Sequence, residues 1–179
     1  MEATHTIGLF YGTDTSNTEM VGQKIQQQFA ELDRVVERHN ISDVDLSLML
    51  KYDFLILGIP TWDFGGIQSD WEDAGDALTE LNLSGKTIAL YGLGDQFGYG
   101  DYFVDAMGWL YEQLRPTGAK LIGLWPTKGY DFEASLAANK DKSEFVGLAI
   151  DEDQQFDLTD QRVEQWVLQL YAELALAAT

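Results

Sequence analysis

An open, doubly wound α/β sheet is the fold that this sequence predicts. Three observations point to it. Strand-like and helix-like segments alternate along the chain. Two strand candidates, Tyr52–Ile59 and Thr87–Leu93, are almost continuously apolar, as expected of parallel strands covered on both faces. The 179 residues, 45% of them hydrophobic, fit one compact domain spanning 1–179, with no internal repeat, linker or low-complexity stretch.

The elements follow in order. His5–Tyr11 reads as the first strand. Val21, Ile25, Phe29 and Leu32 then recur at helical spacing and make one apolar stripe. Asp33–Arg38 is the second strand candidate and Tyr52–Ile59 the third. Ser69 and Glu72 have capping-box spacing at the start of the next helix. Thr87–Leu93 is the fourth strand, and Phe103, Met107, Leu110 and Leu114 stripe the helix after it. Lys120–Trp125 is the fifth. Pro126–Gly147 is too long for a simple connection; it is polar, yet carries Tyr130, Phe132 and Phe145 before an apolar run returns at Phe145–Ile150. It reads as an excursion that splits the fifth strand, either a surface decoration (the simpler reading) or a partner-contact loop. Val163, Trp166, Val167, Leu170 and Leu174 stripe the last helix.

Charge narrows the function. The net charge is −19, so the chain repels DNA, RNA and anionic lipid. Between Asp63 and Asp105 nine acids face a single base, Lys86. A second acidic cluster joins Asp151, Glu152, Asp153, Asp157 and Asp160. Such clusters either serve solubility alone or steer a basic partner. Cysteine is absent, which excludes disulfides and thiolate metal sites. His5 and His39 lack metal-site spacing and read as surface or strand-edge residues. The first residues do not have a signal-peptide pattern and no apolar run reaches membrane-spanning length, so a soluble cytoplasmic protein without membrane contact is expected.

The segment from Gly8 to Glu19 carries the most information. An apolar strand leads through a turn with hydroxyls at Thr13, Thr15, Ser16 and Thr18 into a helix, and the turn contains no Lys or Arg. Backbone N–H groups at a helix start suit a phosphate held by neutral donors. The alternative is an ordinary capped turn, since Ser16 and Glu19 also have capping-box spacing. Ligands in such sheets sit beyond the carboxyl ends of the strands. There the third strand ends in Ile59-Pro60-Thr61-Trp62-Asp63-Phe64-Gly65-Gly66, and the fourth in Leu93-Gly94-Asp95-Gln96-Phe97-Gly98-Tyr99-Gly100. Each places an aromatic among glycines, so Trp62 and Tyr99 are expected to face each other across a slot for a flat, phosphorylated ligand.

The segments GLFYGTDTSNTE, LILGIPTWDFG, LYGLGDQFGYGDYFVDAMG, PTKGYDFEAS and FVGLAIDEDQQFDLT together resemble the long-chain flavodoxins, over essentially the whole chain. The resemblance implies a flavodoxin-like, five-stranded parallel sheet in the order 2-1-3-4-5 with helices on both faces, the long-chain insertion at about 126–147, and one non-covalent FMN. It implies a low-potential one-electron carrier, a monomer rather than an enzyme. The partners would be basic-surfaced redox proteins, such as a ferredoxin/flavodoxin-NADP reductase and acceptor oxidoreductases. Thr13, Asp14, Thr15, Ser16, Asn17 and Thr18 match the family's phosphate loop. Trp62 and Tyr99 match the two rings that sandwich the isoalloxazine. Thr61, Asp63, Phe64 and Gly65 match the loop at the flavin N5 edge; Leu93, Gly94, Asp95 and Gln96 match the pyrimidine edge; Asp153 matches a ribityl-contacting carboxylate. Two positions depart from the pattern: Ser16 stands where the family usually has Gly, and Gly66 where it usually has Glu. No catalytic base or nucleophile is required. The competing reading is a flavin-dependent reductase of quinones or nitro compounds, which would need a substrate pocket where Tyr99 stacks.

Overall fold

The computed structural model describes residues 6–177. The first strand, β1 (Ile7–Tyr11), is buried along its whole length and lies between β2 (Val36–Asn40) and β3 (Phe54–Trp62). Next come β5 (Thr87–Leu93) and then β6 (Lys120–Ile122), all parallel, in the order β2-β1-β3-β5-β6. Helix α1 (Asn17–Glu31) follows β1, α2 (Ser69–Thr79) precedes β5, α3 (Asp105–Leu114) follows it, and α4 (Thr159–Ala177) closes the described chain. The expected strand order is therefore observed, with β5 as the fourth strand. His5, expected to open the first strand, lies outside the described residues.

The fifth strand is split as expected. β6 pairs with the first half of β5, Thr87–Ala89, and β9 (Leu148–Ile150) pairs with the second half, Tyr91–Leu93. The excursion starts earlier than Pro126, however. Gly123, at φ 84°, turns the chain out of the sheet, and Trp125 already belongs to a small hairpin of β7 (Trp125–Pro126) and β8 (Glu144–Phe145). Trp125 is apolar and buried, which made it look like sheet; it packs in the excursion instead.

Other boundaries move for local reasons. β2 begins at Val36 rather than Asp33, because Asp33, at φ 58°, ends α1: its N–H donates to the Ala30 carbonyl and that of Arg34 to Phe29. Asp is among the few residues that tolerate this left-handed position. β3 runs past Ile59 and Pro60 to Trp62, where β4 (Gly66–Ile67) folds back on it as a hairpin. The α2 cap is Gln68, whose side-chain oxygen accepts the Trp71 N–H at 3.3 Å; Ser69 is already the first helical residue, so the predicted cap falls one position late.

Tyr91 shows how the core supports what lies above it. It projects from β5 across Gly58 of β3, where any Cβ would stand 2.0 Å from its ring, and donates its hydroxyl to the Thr18 carbonyl at 2.9 Å. Burial pushes the pKa of this phenol far up, so it remains a neutral donor. A central-strand side chain thus props the first turn of α1 from beneath.

Candidate functional site

The carboxyl ends of β1, β3, β5 and β9 lie on one edge of the sheet, and the loops leaving them meet there. The first loop is the hydroxyl turn. Ser16 occupies the N-cap position of α1 at φ 72°, with no side-chain cap bond, so the Ser16–Glu19 capping box does not form. Instead the Ser16 N–H donates to Thr13 Oγ1 at 2.9 Å. The Thr13 hydroxyl hydrogen is left free for a ligand, and the first N–H groups of α1 have no helical carbonyl to bind. Asp14, Thr15, Ser16 and Asn17 are exposed, Thr13 is partly so, and Thr18 is buried against Tyr91.

Left-handed backbone costs a non-glycine residue about 1–2 kcal/mol. Ser16→Gly is therefore expected to stabilise the fold by up to about 1 kcal/mol, after the extra chain entropy of glycine is subtracted. Urea denaturation measures it; a loss of stability would mean that the serine side chain holds the turn.

The second loop is the β3–β4 hairpin. Asp63 at φ 44° and Gly65 at φ 83° bracket Phe64, which is 76% exposed. Thr61 Oγ1 accepts the Ala106 N–H at 3.0 Å, tying the end of β3 to the start of α3. Trp62 is partly buried, and its indole N–H is fully buried without an acceptor among the described residues. A buried donor of this kind is costly unless something else supplies the oxygen.

The third loop follows Leu93. The Gly94 N–H donates to the Ile150 carbonyl at 3.0 Å. Asp95 Oδ1 accepts from the N–H groups of Phe97 and Gly98 and from Gln154 Nε2, bonds that hold its carboxyl below the usual range although its burial works the other way. Tyr99 meets Phe64 edge-on at 5.7 Å, and Phe64 also meets Tyr102 at 5.7 Å. The ring touching Tyr99 is thus Phe64, with Trp62 at the base of the same hairpin. The Asp63 carboxylate beside the Tyr99 hydroxyl raises its pKa. The Gln96 side chain is buried and bound within the protein, and its N–H donates to Asp151 Oδ2 at 3.0 Å.

The fourth loop starts at Asp151, whose buried carboxylate accepts the N–H groups of Gln96, Asp153 and Gln154 at 2.9–3.0 Å. Asp153 is exposed nearby, and partial burial together with the charges of Asp95, Asp151 and Glu152 pushes its carboxyl up. None of the four loops contains Lys or Arg. Sequence reasoning passed over Gln68, which is buried and reaches both Asp70 and Asp14, and Asp105, whose carboxylate accepts the Leu136 N–H at 2.7 Å and is pushed up by its burial. No periodicity marks either residue. Only their positions, Gln68 directly after β4 and Asp105 at the start of α3, could have drawn attention to them.

The family model described as Flavodoxin matches residues 9–166. The chain belongs to the flavodoxin family. It is 50% identical to Flavodoxin 2 of Escherichia coli (strain K12) over 169 residues, 94% of this chain and 96% of that protein. It is 48% identical to the flavodoxin of Synechococcus elongatus over 170 residues, 95% of this chain and 98% of that one. Its fold superposes on a flavodoxin of Fusobacterium nucleatum crystallised with flavin mononucleotide, with a TM-score of 0.86 at 30% identity, covering 94% of this chain and 98% of that chain. Against the family pattern, the Ser16 departure keeps the left-handed backbone that a glycine would adopt freely. The Gly66 departure pairs with Trp62 in the hairpin, and a Cβ there would stand 3.0 Å from the Trp62 carbonyl oxygen.

Proposed function

We infer that this protein is an electron carrier that binds FMN without a covalent bond and passes single electrons between redox proteins. The observation that carries the reading is a base-free, hydroxyl-rich helix start, beside a hairpin with a buried and unpartnered indole donor, in a flavodoxin-family chain. The residues present fit the cofactor. Thr13, Thr15 and Thr18, with the N–H groups of Thr15, Asn17 and Thr18, would hold the phosphate; Trp62 would give its indole N–H to a ligand oxygen. Trp62 and Tyr99 would flank the ring, with Phe64 bracing Tyr99 from the side.

Bound FMN supplies the one-electron chemistry. The chain supplies the surroundings. Asp63 already holds a positive φ, so the Asp63–Phe64 peptide can turn a carbonyl toward the N5 edge and hold a proton there. The carboxylates of Asp63, Asp95, Asp151 and Asp153 oppose added negative charge on the ligand, and no base in these loops offsets them. A low potential for the second electron follows. The experiment that tests the function is stepwise reduction of the FMN-loaded protein.

The partners follow from the same charge. The acids from Asp63 to Asp105 would steer a basic-surfaced reductase or acceptor, with this chain acting as a soluble monomer. Among the described residues, no helix is long and apolar enough to cross a membrane. Electron transfer from a basic reductase should slow about tenfold or more between low and physiological salt. Stopped-flow rates that ignore ionic strength would contradict the steering.

A further inference from the structure

Gln96 sits in a loop that faces solvent, yet it is only 2% exposed while the next residue, Phe97, is 61% exposed. Every polar atom of its carboxamide is used. Nε2 donates to Asp151 Oδ2 at 2.8 Å and to Gln155 Oε1 at 2.8 Å, and Oε1 accepts the Asp131 N–H at 2.6 Å. The Gln96 N–H donates to the same Asp151 oxygen at 3.0 Å. Three segments far apart in sequence therefore close on one side chain: the loop after β5, the loop after β9, and the insertion.

The insertion is stitched along the same loop. Gly100 accepts the N–H groups of Glu133 and Ala134, and Phe103 donates to the Ala134 carbonyl. Phe103 also packs on Tyr130, Phe132 and Phe145, with ring centroids 5.6–5.7 Å apart. Gln155 Nε2 and Arg162 Nη2 both donate to the Gly129 carbonyl, and the Arg162 guanidinium lies 4.0 Å over the Tyr130 ring. The insertion thus forms the outer wall of the loop that carries Tyr99.

We propose that Gln96 is a positioning residue, which locks the Asp95–Tyr99 loop between Asp151 and the insertion, so that the loop is organised before the flavin arrives. This rests on the FMN reading for its ligand. Loss of the buried amide takes one of four donors from the Asp151 carboxylate and strands the Asp131 N–H, so the loop reorganises rather than tolerate it. Between its anchored ends, Gly94 on Ile150 and Gly100 on the insertion, the loop would then be held by the Asp95 turn, and binding would have to order it. The loss falls on the ring half of the cofactor, because the phosphate turn hangs on a different strand.

The test uses the apo-protein with riboflavin and with FMN as probes, and amide exchange without either. Gln96→Met keeps the length of the side chain and removes its hydrogen bonds. It should weaken both flavins by the same factor, about tenfold or more. In the apo-protein it should speed exchange at Gly98 and Tyr99 while Ile56 and Leu57 of β3 stay protected. Gln155→Met, at a partly exposed position, should shift the same readouts in the same direction by less, and it decides alone if Gln96→Met does not fold. Affinities within twofold of the parent, a loss confined to FMN, or faster exchange spread evenly over the sheet would overturn the proposal. If the parent protein itself fails to bind FMN, the functional reading falls, while the apo-protein exchange still judges the clamp.

Discussion

Riboflavin is expected to bind this protein about a hundredfold or more weaker than FMN. The turn from Thr13 to Thr18 contains no cation, so the whole phosphate contribution must come from hydroxyls and backbone N–H groups. Each hydrogen bond to a charged acceptor is worth about 1.5–3 kcal/mol. Two of them amount to about 3–6 kcal/mol, a factor of about 10²–10⁴ in affinity. The turn is built for this: the Thr13 hydroxyl accepts from Ser16 and keeps its own hydrogen, and Ser16 holds a left-handed backbone that opens the helix start. Lys24, the next base along the chain, is paired with Asp160. Thr15→Ala should remove about 1–3 kcal/mol of FMN binding and leave riboflavin untouched. Fluorescence titration of the apo-protein with both flavins measures each quantity. Equal affinities would mean that the phosphate is not recognised here.

Gly147→Ala is expected to be the most damaging single methyl in the chain's return to the sheet. Gly147 stands between Phe145, in the insertion's aromatic cluster, and β9. A Cβ there would lie 2.2 Å from the Leu90 carbonyl oxygen and 2.7 Å from its carbon, both backbone atoms of β5. Backbone in a central strand cannot move aside as a flexible side chain can. Overpacking of this kind costs about 1–3 kcal/mol, occasionally more, and the upper end is expected here. At about 2–4 °C per kcal/mol, the thermal midpoint should fall by about 6–12 °C. Because β9 leads directly into Asp151, flavin affinity should fall with it. A midpoint within about 2 °C of the parent would show that β9 can shift along β5 without loss.

The fold was legible because burial on both faces leaves a simple mark. Thr87–Leu93 reads as an apolar run and is a strand with those bounds. The split fifth strand was legible for the same reason, since an apolar run returns after a polar stretch. Its starting point was not, because Trp125 is as apolar as a strand residue while its partner is Phe145 of the insertion hairpin. Capping misled twice. Ser69 and Glu72 satisfy the spacing, but a buried Gln68 reaches the Trp71 N–H first. Ser16 and Glu19 satisfy it too, yet the Thr13 hydroxyl takes the Ser16 N–H and turns the backbone left-handed. At the site, sequence order locates the loops and says little about which way a side chain points. Gln96 turned inward, and among five clustered acids nothing in the chain distinguishes buried Asp151 from exposed Asp157.

The central claim is that this chain holds FMN so as to pass electrons one at a time. Potentiometric titration of the FMN-loaded protein, followed by absorbance, tests it most directly. The geometry of the Asp63–Phe64 turn and the base-free acidic loops predict two well-separated one-electron steps, the second at the lower potential, and no reduction by NADPH alone. A single two-electron step, with turnover of quinones or nitro compounds at the expense of NADPH, would contradict it and identify a reductase instead.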